Sequence, residues 1–151
     1  MTAISARLIN VAAAAFTAAA IAWMMQPTQA AAANQILATV NISKQTMEVR
    51  VDGRPTFEWK VSTAGKGYVT PTGSFKPTRL HMWYSKQYDN APMPHSVFFH
   101  NGYAVHATNA VKRLGTPASH GCVRLAPDNA SDFFTLVQAF GPENTQIVIV
   151  D

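Results

Sequence analysis

The chain has 151 residues, and its 12 Lys and Arg against 8 Asp and Glu give a formal charge of +4 at pH 7. The basic residues are spread along the chain, so the composition gives no support to a nucleic-acid interface. Cys122 is the single cysteine, which excludes an internal disulfide. A chain of this length is expected to form one domain around one hydrophobic core.

Residues 1–33 differ in composition from the rest of the chain. Their one charged residue is Arg7, which is followed by an apolar, alanine-rich run at 8–25 and by alanines at 30–33. A positive start, an apolar centre and small residues at the end predict a secretory signal peptide that is cleaved near 30–33. An uncleaved N-terminal anchor is the alternative, because the run approaches the roughly 18 residues of a spanning helix. In both cases residues 34–151 are predicted to be exported.

Apolar residues predict three short antiparallel strands at the start of this domain, and they alternate with polar residues in the second and third. The strands are expected at residues 35–41, 47–51 and 57–61. Asp52-Gly53 is a hairpin signal between the second and third strands. Phe57 and Trp59 share one face of the third strand and are predicted to be core residues. Turns are expected through 62–73, and the next strand is expected to begin at Phe75.

An apolar patch at 81–84 is followed by a loop at 85–94 that is rich in polar residues and proline. A loop of this length in a small domain is often a lid or the rim of a binding site. Trp83 is therefore a candidate aromatic contact for a ligand, with packing in the core or at the rim as the alternative.

The second half of the chain is predicted to contain a hairpin, a helix and a final strand. Strands are expected at residues 96–99, 103–106 and 146–150. Pro127 is suited to the first turn of a helix, and Gly141-Pro142 is a stop signal. Together these elements predict a mainly antiparallel β-sandwich with one or two short α-helices.

Cys122 has the sequence context of a nucleophile. His120 lies two residues before it and Arg124 two residues after it, and His106 precedes both. A thiol becomes nucleophilic when a base takes its proton and positive charge stabilises the thiolate. This pattern favours a cysteine acyl-transfer site in which either histidine is the base.

The residues around Cys122 fit the same chemistry. Gly121 leaves room for a substrate carbonyl, and its N–H and that of Cys122 are candidate donors to an oxyanion. Ser119 is expected to fix the loop through hydrogen bonds. Arg124 is expected either to bind a substrate carboxylate or to hold the loop to the domain.

Two other interpretations of the cysteine remain open. A lone cysteine is often a buried thiol that packs as a small apolar side chain. Zinc is the second alternative, because His100, His106, His120 and Cys122 are suitable ligand types. No Cys-x-x-Cys or His-Glu-x-x-His pattern supports it, so no metal site and no cofactor are predicted.

The sequence Ser-His-Gly-Cys-Val-Arg-Leu at 119–125 resembles the active-site signature of L,D-transpeptidases, the catalytic domains of bacterial peptidoglycan enzymes. Further motifs of this family follow one another in its order, at residues 62–65, 70–75, 93–99 and 102–106. Ala107 is a departure, because the family more often has glycine or serine there. The resemblance covers most of the chain from about Gln35 onward.

The resemblance implies the L,D-transpeptidase fold, with Cys122 as nucleophile and His106 as the principal base. His120 would orient the loop or share the role of base. Trp83 and Tyr103 are further candidate contacts for the substrate. The domain is expected to act as a monomer in the periplasm or cell wall.

The implied reaction is attack on the bond between the third residue of a peptidoglycan stem peptide and D-alanine, followed by cross-linking to an amine acceptor. Water in place of the amine would make the protein an L,D-carboxypeptidase or a related cysteine hydrolase. A cell-wall-binding module with an idle thiol is the non-enzymatic alternative.

Overall fold

The structure is a computed structural model that describes residues 35–85 and 91–151. The signal peptide predicted at 1–33 lies outside the described residues and stays a prediction. Within the described part, no helix has both the length and the apolar character that crossing a membrane requires.

The described residues form nine strands and one α-helix. The strands are β1 Ile36–Asn41, β2 Thr46–Val51, β3 Arg54–Lys60, β4 Gly73–Phe75, β5 Arg79–Tyr84, β6 Met93–His100, β7 Tyr103–Ala107, β8 Val123–Leu125 and β9 Thr145–Val150. The helix is α1 Pro127–Phe140, and short 3₁₀ turns lie at Val111–Arg113 and Pro142–Asn144.

The strands belong to two sheets. The first has the order β3-β2-β1-β9-β4, and the second has the order β5-β6-β7-β8. Most pairs are antiparallel, but β1 pairs with β9 and β7 pairs with β8 in parallel. The predicted mainly β fold with a helix is confirmed, and the parallel β7–β8 pair places residues of the candidate site.

Apolar side chains at alternate positions along the strands of the first sheet point into the hydrophobic core. Ile36, Ala38 and Val40 of β1 are buried, and the residues between them are half-buried. The helix α1 contributes Phe133 and Val137, one turn apart, to the same core. Each large apolar side chain buried in this way stabilises the fold by about 1.5–3 kcal/mol.

The first three strands lie where the alternation predicted them, and three details differ. Phe57 and Trp59 are half-buried rather than buried, and their rings stack with centroids 4.8 Å apart. The strand expected to begin at Phe75 ends there. The patch at 81–84 is the end of β5, an edge strand. Two consecutive residues of this strand, Met82 and Trp83, are both exposed. The strand therefore lacks the alternation of buried and exposed residues that marks a strand in a sequence.

The predicted helix is confirmed at both ends. Pro127 occupies the first turn, where its missing N–H costs nothing. Gly141 follows the last turn with φ of 93°, and its N–H donates to the carbonyl of Val137. Glycine adopts this backbone conformation without the steric cost that other residues have.

Candidate active site

The parallel pair of β7 and β8 brings the predicted catalytic residues together. His106 in β7 lies directly beside Arg124 in β8, and Cys122 comes immediately before β8. Paired residues on neighbouring strands point to the same side of a sheet. The chain between the two strands therefore returns the cysteine to the histidine.

His106, His120, Cys122 and Arg124 line one cleft of about 300 Å³. The other lining residues are Ala91, Pro92, Met93, Pro94, Thr108, Asn109 and Ala110. The described lining contains no carboxylate, so Arg124 gives the cleft a positive charge. Residues 91–94 belong to the segment at 85–94 that was predicted to form a rim, and residues 86–90 of that segment lie outside the described residues.

One hydrogen bond determines which nitrogen of His106 carries the proton. Nδ1 lies 2.7 Å from the carbonyl oxygen of Ala107. Because a carbonyl oxygen only accepts, Nδ1 must be the donor, and the neutral ring then has its free lone pair on Nε2. Ala107 thus orients the imidazole through its main chain, a contact that does not involve the side chain at residue 107.

Burial sets the charge state of both catalytic candidates. It lowers the pKa of His106 from its ordinary value of 6.5 to about 4, partly opposed by the bond to Ala107 and reinforced by the charge on Arg124. Burial also raises the pKa of the Cys122 thiol, against the effects of a backbone hydrogen bond from Ala104 and of Arg124. At neutral pH the resting pair is consequently a thiol and a neutral imidazole.

The loop that carries Cys122 is paired on two sides. On one side, β8 pairs with β7. On the other side, the loop forms backbone bridges with residues 62–64. Ser62 and Arg124 exchange two backbone hydrogen bonds of 2.9 and 3.0 Å, and the N–H of Ser119 donates to the carbonyl of Thr63 at 2.8 Å. These contacts fix the loop at both ends.

Two buried hydroxyl groups complete the loop. Ser119 Oγ accepts from the N–H of Gly121 and donates to the carbonyl of Cys122. Thr70 Oγ1 accepts from the N–H of Ala64 and donates to the carbonyl of Gly121. The Gly121 N–H is therefore satisfied within the loop, which argues against it as an oxyanion donor and leaves the Cys122 N–H as the candidate.

Gly121 is required by both its conformation and its surroundings. Its φ is 123°, which non-glycine residues rarely adopt. A Cβ at this position would lie 2.7 Å from the carbonyl oxygen of Val69 and would overlap the ring of Tyr103. The loop can follow this path only without a side chain at residue 121.

Tyr103 and Trp83 do not line the cleft. Tyr103 is half-buried, faces Gly121 with its ring edge and stacks on His100 at 6.3 Å. Trp83 is 64% exposed on β5 and pairs with Pro94, a lining residue, on the neighbouring strand. Tyr103 thus supports the catalytic loop, and Trp83 lies one strand away from the cleft wall.

Some residues that shape the site carried no recognisable signal by themselves. Gln45 is buried and exchanges hydrogen bonds with Thr63, at 2.6 and 2.9 Å, across 18 positions of sequence. Thr108 and Asn109 line the cleft but follow His106 in a stretch without a distinctive pattern. Thr70 belongs to the motif at 70–75, but that motif did not show that its hydroxyl donates to the carbonyl of Gly121.

The geometry of the described residues does not support the alternative that Cys122 is a zinc ligand. Among the described residues, no group of three or more His, Cys, Asp and Glu side chains lies close enough to hold a metal ion.

The family of the chain follows from comparison with known proteins. The sequence model of the L,D-transpeptidase catalytic domain matches residues 35–149. The chain therefore belongs to the L,D-transpeptidase catalytic domain family. No curated protein gives a match.

Solved L,D-transpeptidases have a similar fold. One from Mycobacterium smegmatis is 23% identical with a TM-score of 0.70, and the alignment covers 78% of this chain and 59% of that one. One from Stackebrandtia nassauensis is 25% identical with a TM-score of 0.67, covering 78% and 56%. One from Xylanimonas cellulosilytica is 24% identical with a TM-score of 0.64, covering 78% and 61%. The chain thus spans about three-fifths of the length of these proteins.

Replacing Gly121 tests whether the loop depends on this close approach. We expect Gly121→Ala to lower the free energy of unfolding by about 3 kcal/mol, because backbone strain and overlap with Val69 add together. Gly67→Ala is the matched control, since its φ is also positive, at 85°, but its Cβ would meet nothing within 4 Å. It should cost only about 1 kcal/mol. Urea unfolding measures both, and equal losses would contradict the account.

The lowered pKa of His106 predicts a pH-dependent stability. Between about pH 6.5 and 4 the unfolded chain binds a proton at this residue and the folded chain does not, so stability falls as pH falls through this window. The loss is on the order of 3 kcal/mol. Urea unfolding of the wild type and of His106→Gln, at several pH values, isolates this contribution. A difference between the two proteins that stays constant with pH would refute it.

Proposed function

We propose that this domain is a peptidoglycan L,D-transpeptidase in which Cys122 carries the acyl group. The observation that supports this most directly is the shared cleft of Cys122 and His106, with the Nδ1 proton of His106 held by Ala107. That tautomer leaves Nε2 as a base inside the cleft. A wall-binding module would have no need of an oriented imidazole beside a thiol.

In the first step His106 Nε2 takes the thiol proton as Sγ attacks the carbonyl between the third stem residue and D-alanine. Because both groups are neutral at rest, proton transfer and attack are expected to occur together. The Ala107 carbonyl then stabilises the imidazolium through its bond to Nδ1. The same imidazolium gives its proton to the departing D-alanine amine, leaving a thioester on Cys122.

The oxyanion of this step would be stabilised by the backbone N–H of Cys122. One well-placed donor typically lowers such a barrier by about 3 kcal/mol. Ser119 and Thr70 make the loop rigid through both neighbouring carbonyls, so this donor needs little reorganisation during the reaction.

Arg124 has features of both roles predicted for it. Its Nη1 donates to the carbonyl of Ala118 at 3.2 Å, which holds the loop. It also lines a cleft whose described walls have no carboxylate, so a substrate carboxylate would be its ionic partner there. We propose that it binds a carboxylate of the donor stem peptide while remaining attached to the loop.

His120 also lines the cleft, and its ring packs at right angles to the ring of Tyr68. The oriented lone pair of His106 favours His106 as the principal base. His120 would then help to orient substrate groups around the thioester.

The thioester has two fates. Attack by an amine of a second stem peptide gives a cross-link, and attack by water gives a tripeptide, which is the L,D-carboxypeptidase outcome. We favour cross-linking because it is the reaction that the family is named for. Action at the cell wall requires export, for which residues 1–33 are the proposed signal.

The proposed reaction predicts specific products. Residues 34–151 and the Cys122→Ala variant are incubated with a disaccharide-tetrapeptide, and products are identified by mass spectrometry. We expect cross-linked dimer and free D-alanine with the wild type only, because the variant has no acyl carrier.

The other outcomes are equally informative. Tripeptide and D-alanine without dimer would assign the domain as an L,D-carboxypeptidase. Unchanged substrate with both proteins, although both are folded, would favour the binding module and contradict the proposal. Cys122→Ser is a useful companion variant because it keeps the size and polarity of the side chain.

A further inference from the structure

Two large apolar residues lie exposed beside the catalytic loop. Tyr68 is 52% exposed and Val69 is 71% exposed, in the turn before Thr70. Neither residue lines the cleft. Large adjacent apolar side chains that remain exposed next to a reactive centre mark a surface suited to binding.

This pair contacts the two residues that precede the nucleophile. The Tyr68 and His120 rings are perpendicular, with centroids 4.3 Å apart. The carbonyl of Val69 lies so close to Gly121 that a Cβ there would be 2.7 Å from it. The exposed pair is therefore continuous with the catalytic loop on the side of His120.

The turn is held in a fixed position relative to Cys122. The N–H of Tyr68 donates to the carbonyl of Gly65, and the N–H of Gly65 donates to the carbonyl of Ser119. Thr70, directly after the pair, donates to the carbonyl of Gly121. A ligand on this turn would thus have a defined distance to the thioester.

The proposed cross-linking reaction calls for a second binding surface near Cys122. At about 300 Å³ the cleft is at the small end of ligand pockets, with space for the end of one stem peptide. Cross-linking needs two stem peptides at once, one as thioester and one as amine. The acceptor has to reach the thioester while the donor still occupies the cleft, and a surface beside the loop that carries Cys122 is suited to hold it.

We propose that Tyr68 and Val69 form the surface that binds the acceptor stem peptide. This inference rests on the proposed function. The acceptor amine attacks the thioester carbonyl, the new amide bond forms as the C–S bond breaks, and the amine proton ends on the Cys122 thiol. Lys66, exposed in the same turn, adds a positive charge that suits the carboxylates of a stem peptide.

The test separates acceptor binding from formation of the thioester. The donor is a disaccharide-tetrapeptide whose side-chain amine is acetylated, so that it cannot act as an acceptor. The acceptor is an isotopically labelled tripeptide stem, which has a side-chain amine but no D-alanine to lose. Tyr68→Ala should raise the KM for this acceptor about tenfold, because an aromatic contact is lost. D-Alanine release without acceptor should stay within about twofold of the wild type.

Two variants serve as controls. Tyr68→Phe keeps the ring and should retain the wild-type KM for the acceptor. Val150→Ser changes an exposed apolar residue at the end of β9, in the other sheet, and should leave both measurements unchanged.

Two results would overturn the inference while leaving the proposed function intact. In the first, Tyr68→Ala leaves the KM for the acceptor unchanged. In the second, it slows D-alanine release as much as cross-linking, which would mean that Tyr68 acts only by supporting His120. A wild-type protein that releases no D-alanine would refute the proposed function itself.

Discussion

The site depends on the backbone pairing that holds the Cys122 loop between β7 and residues 62–64. Neither neighbour is close to the loop in sequence, and each fixes a different part of it. The pairing with β7 places the thiol beside His106. The pairing with residues 62–64, together with Thr70, holds Gly121 in its positive-φ conformation. The shared cleft of Cys122, the proposed nucleophile, and His106, the proposed base, follows from this arrangement.

The burial that this pairing produces also determines how the thiol can react. A thiolate and an imidazolium would both be poorly solvated here, so the two groups are neutral until a substrate arrives. A neutral thiol is less reactive toward oxidants than a thiolate, which suits a protein with one cysteine and a predicted extracytoplasmic location. In the proposed reaction, the carbonyl of Ala107 would stabilise His106 once it is protonated.

The sequence was sufficient to predict those strands and the helix whose buried positions recur at a regular spacing or whose ends carry a local signal. The alternation in β1, β2 and β9 and the Pro127 and Gly141 boundaries of α1 each have a local physical cause. Strand β5 was not predicted, because an edge strand exposes residues on both faces. The parallel pairing of β1 with β9 joins the two ends of the domain, and no local pattern shows such a contact.

The candidate site was predictable to a similar extent. Cys122, His106 and Arg124 stood out through their residue types and spacing, and the structure places them in one cleft. The bonds that position them join residues 18 to 51 positions apart, such as Gln45 with Thr63 and Thr70 with Gly121. Predicting those bonds requires the fold. For the same reason Tyr103 was expected in the cleft, whereas it lies against Gly121.

The central claim is that Cys122 and His106 are neutral at rest and react by coupled proton transfer. The most direct test is the rate of alkylation of Cys122 by iodoacetamide as a function of pH, corrected with a small thiol of known pKa. The account predicts a rate that rises steadily with pH, without a plateau between about pH 5 and 8, because the thiol pKa lies above its ordinary value. A plateau of high reactivity in that range would show a preformed thiolate–imidazolium pair and would contradict the account.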